Sequence, residues 1–180
     1  MGNNKTMKLI NKTTVLVFLL LASCGTIKTK VRQLQVAQHH KFKEKIIDNF
    51  LKKNGNAFYI ESAYDPYSVV WSYTQGSIVI YELKRKSIVK KTEFPEHKKF
   101  RLDKGPEKFR KILDGVSLGY VIYYENKKYA NCCIDIESYL KNKKNIKPGF
   151  LKDIIDDIKK YNIWNDLLTS RKNSGKNISK

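Results

Sequence analysis

The stretch FYIESAYDPYSVVWSYTQGSIVIYELKRKSIV, residues 58–89, decides the fold. Phe58 to Ile60, Val69 to Trp71, Ile78 to Tyr81, and Ile88 with Val89 are short runs of β-branched and aromatic residues, separated by Asp65-Pro66, Gln75-Gly76 and Lys84 to Lys86. Such side chains fit a pleated, half-buried surface and the breaks carry turn residues, so the stretch reads as an antiparallel meander. Upstream, Phe42, Ile46 and Phe50 recur every four residues with Ile47 and Leu51 beside them, one face of a helix closed by Asn54 and Gly55. Downstream, Gly105 and Pro106 open a short helix with Phe109, Ile112 and Leu113 inward and Gly115 at its end. Leu118 to Tyr124 and Tyr129 to Ile136 then form a hairpin around Asn126-Lys127. Pro148 starts a final helix in which Leu151, Ile154, Ile155 and Ile158 share one face, followed by a short turn with Ile163, Trp164, Leu167 and Leu168. The order predicts an α+β domain, an antiparallel sheet with helices packed on one face.

A chain of 180 residues has room for one such domain. We place it at 36–169, behind a polar, basic tether at 24–35 and ahead of a tail at 170–180 that has nothing to bury and is expected to be disordered.

The amino terminus has its own logic. Lys5, Lys8 and Lys12 stand without an acid before the apolar run Val15 to Ala22, a signal-peptide profile at 1–23. Eight apolar residues rise only about 12 Å as a helix, too little for a hydrocarbon core of roughly 30 Å. The end of the run and the residues after it, Leu21, Ala22, Ser23, Cys24 and Gly25, form a string that resembles the lipobox of bacterial lipoproteins. The resemblance covers about 25 residues. It implies that the Cys24 thiol receives a diacylglyceryl group, that cleavage falls just before it, and that the new amino terminus is acylated too. Gly25 to Lys30 lack the Asp of inner-membrane retention and the acidic cluster of surface display, which by the same resemblance points to the periplasmic face of an outer membrane, with the outer leaflet of a Gram-positive membrane as the alternative. Met1, Gly2 and Thr6 also fit an N-myristoylation pattern, but a secretory apolar run is foreign to that class. Asn11 with Thr13 and Asn177 with Ser179 match the glycosylation triplet by coincidence in a Lys- and Asn-rich chain.

The net charge of +19 would usually raise nucleic acid as a partner. Of the basic residues only Arg32, Arg85, Arg101, Arg110 and Arg171 are Arg, the residue that bidentate phosphate recognition prefers, so nucleic acid is not expected and the charge reads as a solvated surface. Lys84, Arg85, Lys86, Lys90 and Lys91 form the densest run and are candidates for contact with an anionic surface, to which a tethered cationic domain is drawn. Tyr64, Tyr67 and Trp71, around the Asp65-Pro66 turn, are candidates for a contact surface, against the plainer reading that they cover the end of the sheet.

No motif carries a reaction. Cys132 shares a face with Ala130, Ile134 and Ile136 and is read as a buried thiol, while Cys133 faces the other way with Tyr129, Asn131 and Asp135. That register puts Tyr120 across from Cys133 and Tyr124 across from Tyr129, and a bond between the adjacent cysteines would be strained. Cys133, Asp135, Tyr120 and the distant His97 are the candidate catalytic residues, with a packed cysteine as the simpler reading. His39 projects into the apolar stripe of the first helix and His40 diverges from it by about 100°, too far to share one ion, so no metal and no cofactor is expected. The adopted reading is a non-enzymatic, lipid-anchored binding or structural module that meets an envelope protein, peptidoglycan or an anionic lipid surface. The alternatives are a lipid-anchored hydrolase using Cys133 or a His, and an immunity-type lipoprotein that neutralises a toxin.

Overall fold

Val69-Val70-Trp71 and Ile78-Val79-Ile80 are apolar at consecutive positions, and successive strand residues point to opposite faces, so a sheet built from them has two faces to cover. In a computed structural model that describes residues 4–63, 65–95, 115–124, 126–136, 140 and 149–163, with the backbone alone for 4–28, these runs form one antiparallel sheet. Its strands are β1 (Asn56–Ser62), β2 (Tyr67–Tyr73), β3 (Ser77–Lys84), β4 (Ser87–Pro95), β5 (Val116–Tyr124) and β6 (Lys127–Asp135). Their order across the sheet is β4-β3-β2-β1-β5-β6. The meander supplies β1 to β4, β5 pairs with the open edge of β1, and β6 folds back on β5. Helix α1 (Asn4–Asn54) precedes the sheet and α2 (Phe150–Lys160) follows it.

Each face has its helix. Phe58, Ile60, Val69, Trp71, Leu118 and Tyr120 pack under Leu151, Ile154, Ile155 and Ile158 of α2. Ala57, Tyr59, Val70, Val79 and Leu83 pack under Ile46, Ile47 and Phe50 of α1. The fold is α+β as the sequence predicts, but the helices, expected together, divide between the two faces. A buried polar contact holds α2 in place: the Tyr73 hydroxyl donates to Asp157 at 2.6 Å. Burial, and then the neighbouring carboxylate, raise the pKa of that hydroxyl.

The chain divides into two compact units, 1–37 and 38–180. In the first, α1 runs unbroken through Gly25 to Gln35, the stretch expected to be a tether. No proline precedes Pro66, and Lys, Arg, Gln, Leu and Ala sustain helix. Among the described residues, no helix is long and apolar enough to cross a membrane. The short helix read at 105–114, the turn containing Trp164, Leu167 and Leu168, and the tail at 170–180 lie outside the described residues.

Candidate functional site

The hairpin of β5 and β6 pivots at Asn126, whose φ of 62° is the left-handed conformation that asparagine tolerates. This turn pairs Tyr124 with Lys127, Ile122 with Tyr129 and Tyr120 with Asn131. The expected pairs Tyr120–Cys133 and Tyr124–Tyr129 are therefore not formed. Beyond Tyr120 the register slips, and Leu118 meets Ile134 and Ser117 meets Asp135. One residue of β5, Gly119, is thus faced by two of β6, Cys132 and Cys133, with Cys133 at φ 60°. This is a β-bulge, and it reverses the alternation on which the cysteine reading rested. Cys132, expected in the core, is exposed, and Cys133 is half-buried.

The other residues read as candidates are dispersed. Tyr120 sits in the core; its hydroxyl faces Asn131 without hydrogen-bonding geometry, and burial pushes its pKa up. Asp135 is buried at the end of β6. Trp71 is wholly buried, stacked on Phe58 at 5.7 Å, and offers nothing to a partner. Tyr67 is half-buried and donates to Glu82 at 3.1 Å. His97 and Tyr64 lie outside the described residues.

What the fold does assemble is a polar seam beneath α1. His39 and Lys43 are one helical turn apart on the stripe that continues through Ile46 and Phe50, and each is only 2% exposed. The His39 Nδ1–H donates to the Arg85 carbonyl at 2.8 Å, which leaves Nε2 to accept from the Ser68 hydroxyl at 3.0 Å. Burial lowers the His39 pKa, against the opposing pull of the Arg85 carbonyl and Glu61, and the nearby Lys43 ammonium acts in the same direction as burial. Lys43 donates to Glu61 at 2.6 Å, lies 3.5 Å from Glu44, and rests 4.3 Å above the centre of the Tyr59 ring. His40 reaches the same Glu61 at 3.4 Å. The ring of Tyr59 in turn covers Gly119, where a Cβ would fall 2.1 Å from its Cζ. Burial first, then the nearby Glu61 carboxylate, raise the pKa of the Tyr59 hydroxyl.

Sequence reasoning passed over Lys43, Glu61, Tyr59 and Gly119. A signal for the first was present, because a lysine at the fourth position after His39 and the third before Ile46 falls on the buried stripe, where a lone cation requires a partner.

Beside the seam, α1 and the outer strands leave a cleft of about 370 Å³ floored by Ile46, Phe50, Val79, Tyr81 and Ile88, with Lys53 and Lys91 also lining it. Lys84, Arg85, Lys86, Lys90 and Lys91 all lie exposed along the adjoining β3–β4 hairpin. Lys90 pairs with Glu82 at 2.8 Å and Lys91 approaches Glu93 at 3.8 Å. The turn is pinned from both sides: Arg85, at φ 55°, donates its N–H to the Pro66 carbonyl at 2.7 Å while its own carbonyl receives His39. Among the described residues, no group of three His, Cys, Asp or Glu side chains is placed to hold a metal. Comparison of the chain with protein-family models, with curated proteins and with solved structures gave no match.

Proposed function

We propose that the protein is a lipid-anchored binding module of a bacterial cell envelope, held by acylated Cys24 on the periplasmic face of an outer membrane. The observation that carries this reading is the string Leu21-Ala22-Ser23-Cys24-Gly25 at the end of a short apolar run that follows a basic start. Two or three acyl chains give stable anchoring where one is marginal, since each buried methylene contributes about 0.8 kcal/mol. An acidic envelope partner is favoured by the cleft, whose apolar floor is edged by Lys53 and Lys91 and continues into the basic β3–β4 hairpin. A binding role also suits the use of His39 and Lys43, whose polar groups are committed to bonds inside the fold.

The test is Cys24→Ser in the producing bacterium. The variant is expected to remain an unprocessed precursor without incorporated fatty acid, and never to appear as the mature, lipid-anchored form. A variant still cleaved after Ser23 and retained in the membrane would refute the anchor.

A further inference from the structure

The bulge in β6 gives the two cysteines a relationship that a regular strand forbids. Asn131 pairs with Tyr120 and Ile134 with Leu118, and Tyr120, Leu118 and Ile134 all belong to the core under α2. The interval between Asn131 and Ile134, which a regular strand fills with one residue directed to the opposite face, here holds two. Cys132 and Cys133 therefore both occupy the position across from Gly119, on the side of the sheet where Tyr59 lies. The left-handed conformation of Cys133, uncommon for any residue with a side chain, is what turns the chain at this point. Cys132 is exposed, Cys133 is half-buried, and neither is in a disulfide.

We propose that Cys132 and Cys133 form a vicinal dithiol that reacts as one site with disulfides. The thiolate of Cys132, the accessible member, attacks one sulfur of a disulfide RSSR; the S–S bond breaks, RS⁻ leaves and takes up a proton, and a mixed disulfide remains on Cys132. The thiolate of Cys133 then attacks the Cys132 sulfur, displaces the second RS⁻, and closes a Cys132–Cys133 bond. Two protein thiols lose two electrons and two protons, and one disulfide becomes two thiols. Consecutive Cα atoms stand about 3.8 Å apart, below the usual span across a disulfide, so the ring is strained and is readily reopened by an external thiol. The site is thus an exchange site for thiols and disulfides rather than a structural clasp. It does not rest on the anchor at Cys24.

The full chain carrying Cys24→Ser presents only these two thiols and can be treated with 4,4′-dithiodipyridine, an aromatic disulfide whose thiol product absorbs light. The folded protein is expected to release two equivalents of thiopyridone, to retain no pyridyl group, and to lose the mass of two hydrogens as a monomer at every protein concentration. Cys133→Ser should release one equivalent and keep one adduct on Cys132. Ring closure should be about tenfold or more faster in the folded chain than in urea, because the bulge holds the second thiol in place. Two retained pyridyl adducts, disulfide-linked dimers, no reaction of the folded chain, or closure at least as fast in urea would each overturn the proposal.

Discussion

Replacing Gly119 with Ala places a methyl group where the Tyr59 ring already is. The added Cβ would lie 2.1 Å from Cζ, 2.3 Å from the hydroxyl oxygen and 2.6 Å from Cε2, far inside contact distance. The ring cannot simply swing away, because Tyr59 is 8% exposed, packed against α1, and capped by Lys43 at 4.3 Å. Overpacking of this kind costs about 1–3 kcal/mol, and a displaced ring would also weaken a cation–π contact of about 0.5–2 kcal/mol. Against this, Gly→Ala in a strand gains about 0.5–1 kcal/mol by restricting the unfolded chain. A net loss of about 2 kcal/mol is expected. With Tyr59→Leu the obstructing ring atoms are gone, and the same Gly119→Ala change should become neutral or stabilising by about 0.5 kcal/mol. The double-mutant cycle, run on the full chain with Cys24→Ser by urea unfolding and intrinsic tryptophan fluorescence, should give a coupling of about 2 kcal/mol at unchanged m. Equal effects of Gly119→Ala in both backgrounds would refute the claim that this glycine exists to admit the Tyr59 ring.

Three further outcomes are expected. His39 is held neutral in the fold with its pKa below the ordinary 6.5, so below that pH the unfolded chain binds a proton the folded chain does not. Stability should therefore fall as pH drops from 6.5 toward the lowered folded value; denaturation midpoints across that range should show a slope that His39→Gln removes and His40→Gln retains. Glu61→Ala should destabilise the domain by about 3 kcal/mol, because the buried ammonium of Lys43 is left, among the described residues, with the exposed Glu44 as its counter-charge, whereas Lys43→Met combined with Glu61→Gln should cost clearly less. Urea denaturation decides it, and equal losses would show that the ion pair is not what matters. The chain from about Val31, free of the signal segment and of Cys24, should bind anionic vesicles weakly at low salt and release them near physiological ionic strength, where the Debye length is about 8 Å. Binding that survives and is lost when Lys84, Arg85, Lys86, Lys90 and Lys91 become Gln would instead make the hairpin a lipid-docking surface.

The meander, the apolar face of α1 and the final helix were legible because each is a local pattern. Phe42, Ile46 and Phe50 at helical spacing, and Val69 to Trp71 between turn residues, need no information from elsewhere in the chain. The division of the helices between the two faces was also written in Val69-Val70-Trp71 and Ile78-Val79-Ile80, which leave neither face polar. The β5–β6 register was not legible. Moving the turn from Asn126-Lys127 to the preceding step changes the partner of Tyr120 from Cys133 to Asn131, and nothing local distinguishes the two. A bulge is harder still, since alternation along β6 is read by counting from a neighbour, and one inserted residue exchanges the faces of everything beyond it. That is why Ile134 and Ile136 were correctly placed in the core while Cys132, assigned to the same face, is exposed.

The seam was missed for a different reason: its members come from separate elements and make sense only together. Gly119 on β5 lacks a side chain, which lets the ring of Tyr59 lie across it from β1. That ring gives Lys43 of α1 an aromatic face, and Glu61, two residues further along β1 and so on the same side of the sheet, supplies its counter-charge. On β6, the two thiols take the position across from the same glycine. A change at any one position therefore propagates: a side chain at 119 displaces Tyr59, a displaced Tyr59 uncovers Lys43, and both alter the surroundings of Cys132 and Cys133. If the dithiol reacts as proposed, its ring-closure rate should respond to Gly119→Ala and to Tyr59→Leu, and much less to a change at the exposed Lys91, which lines the cleft between α1 and the outer strands and not this seam.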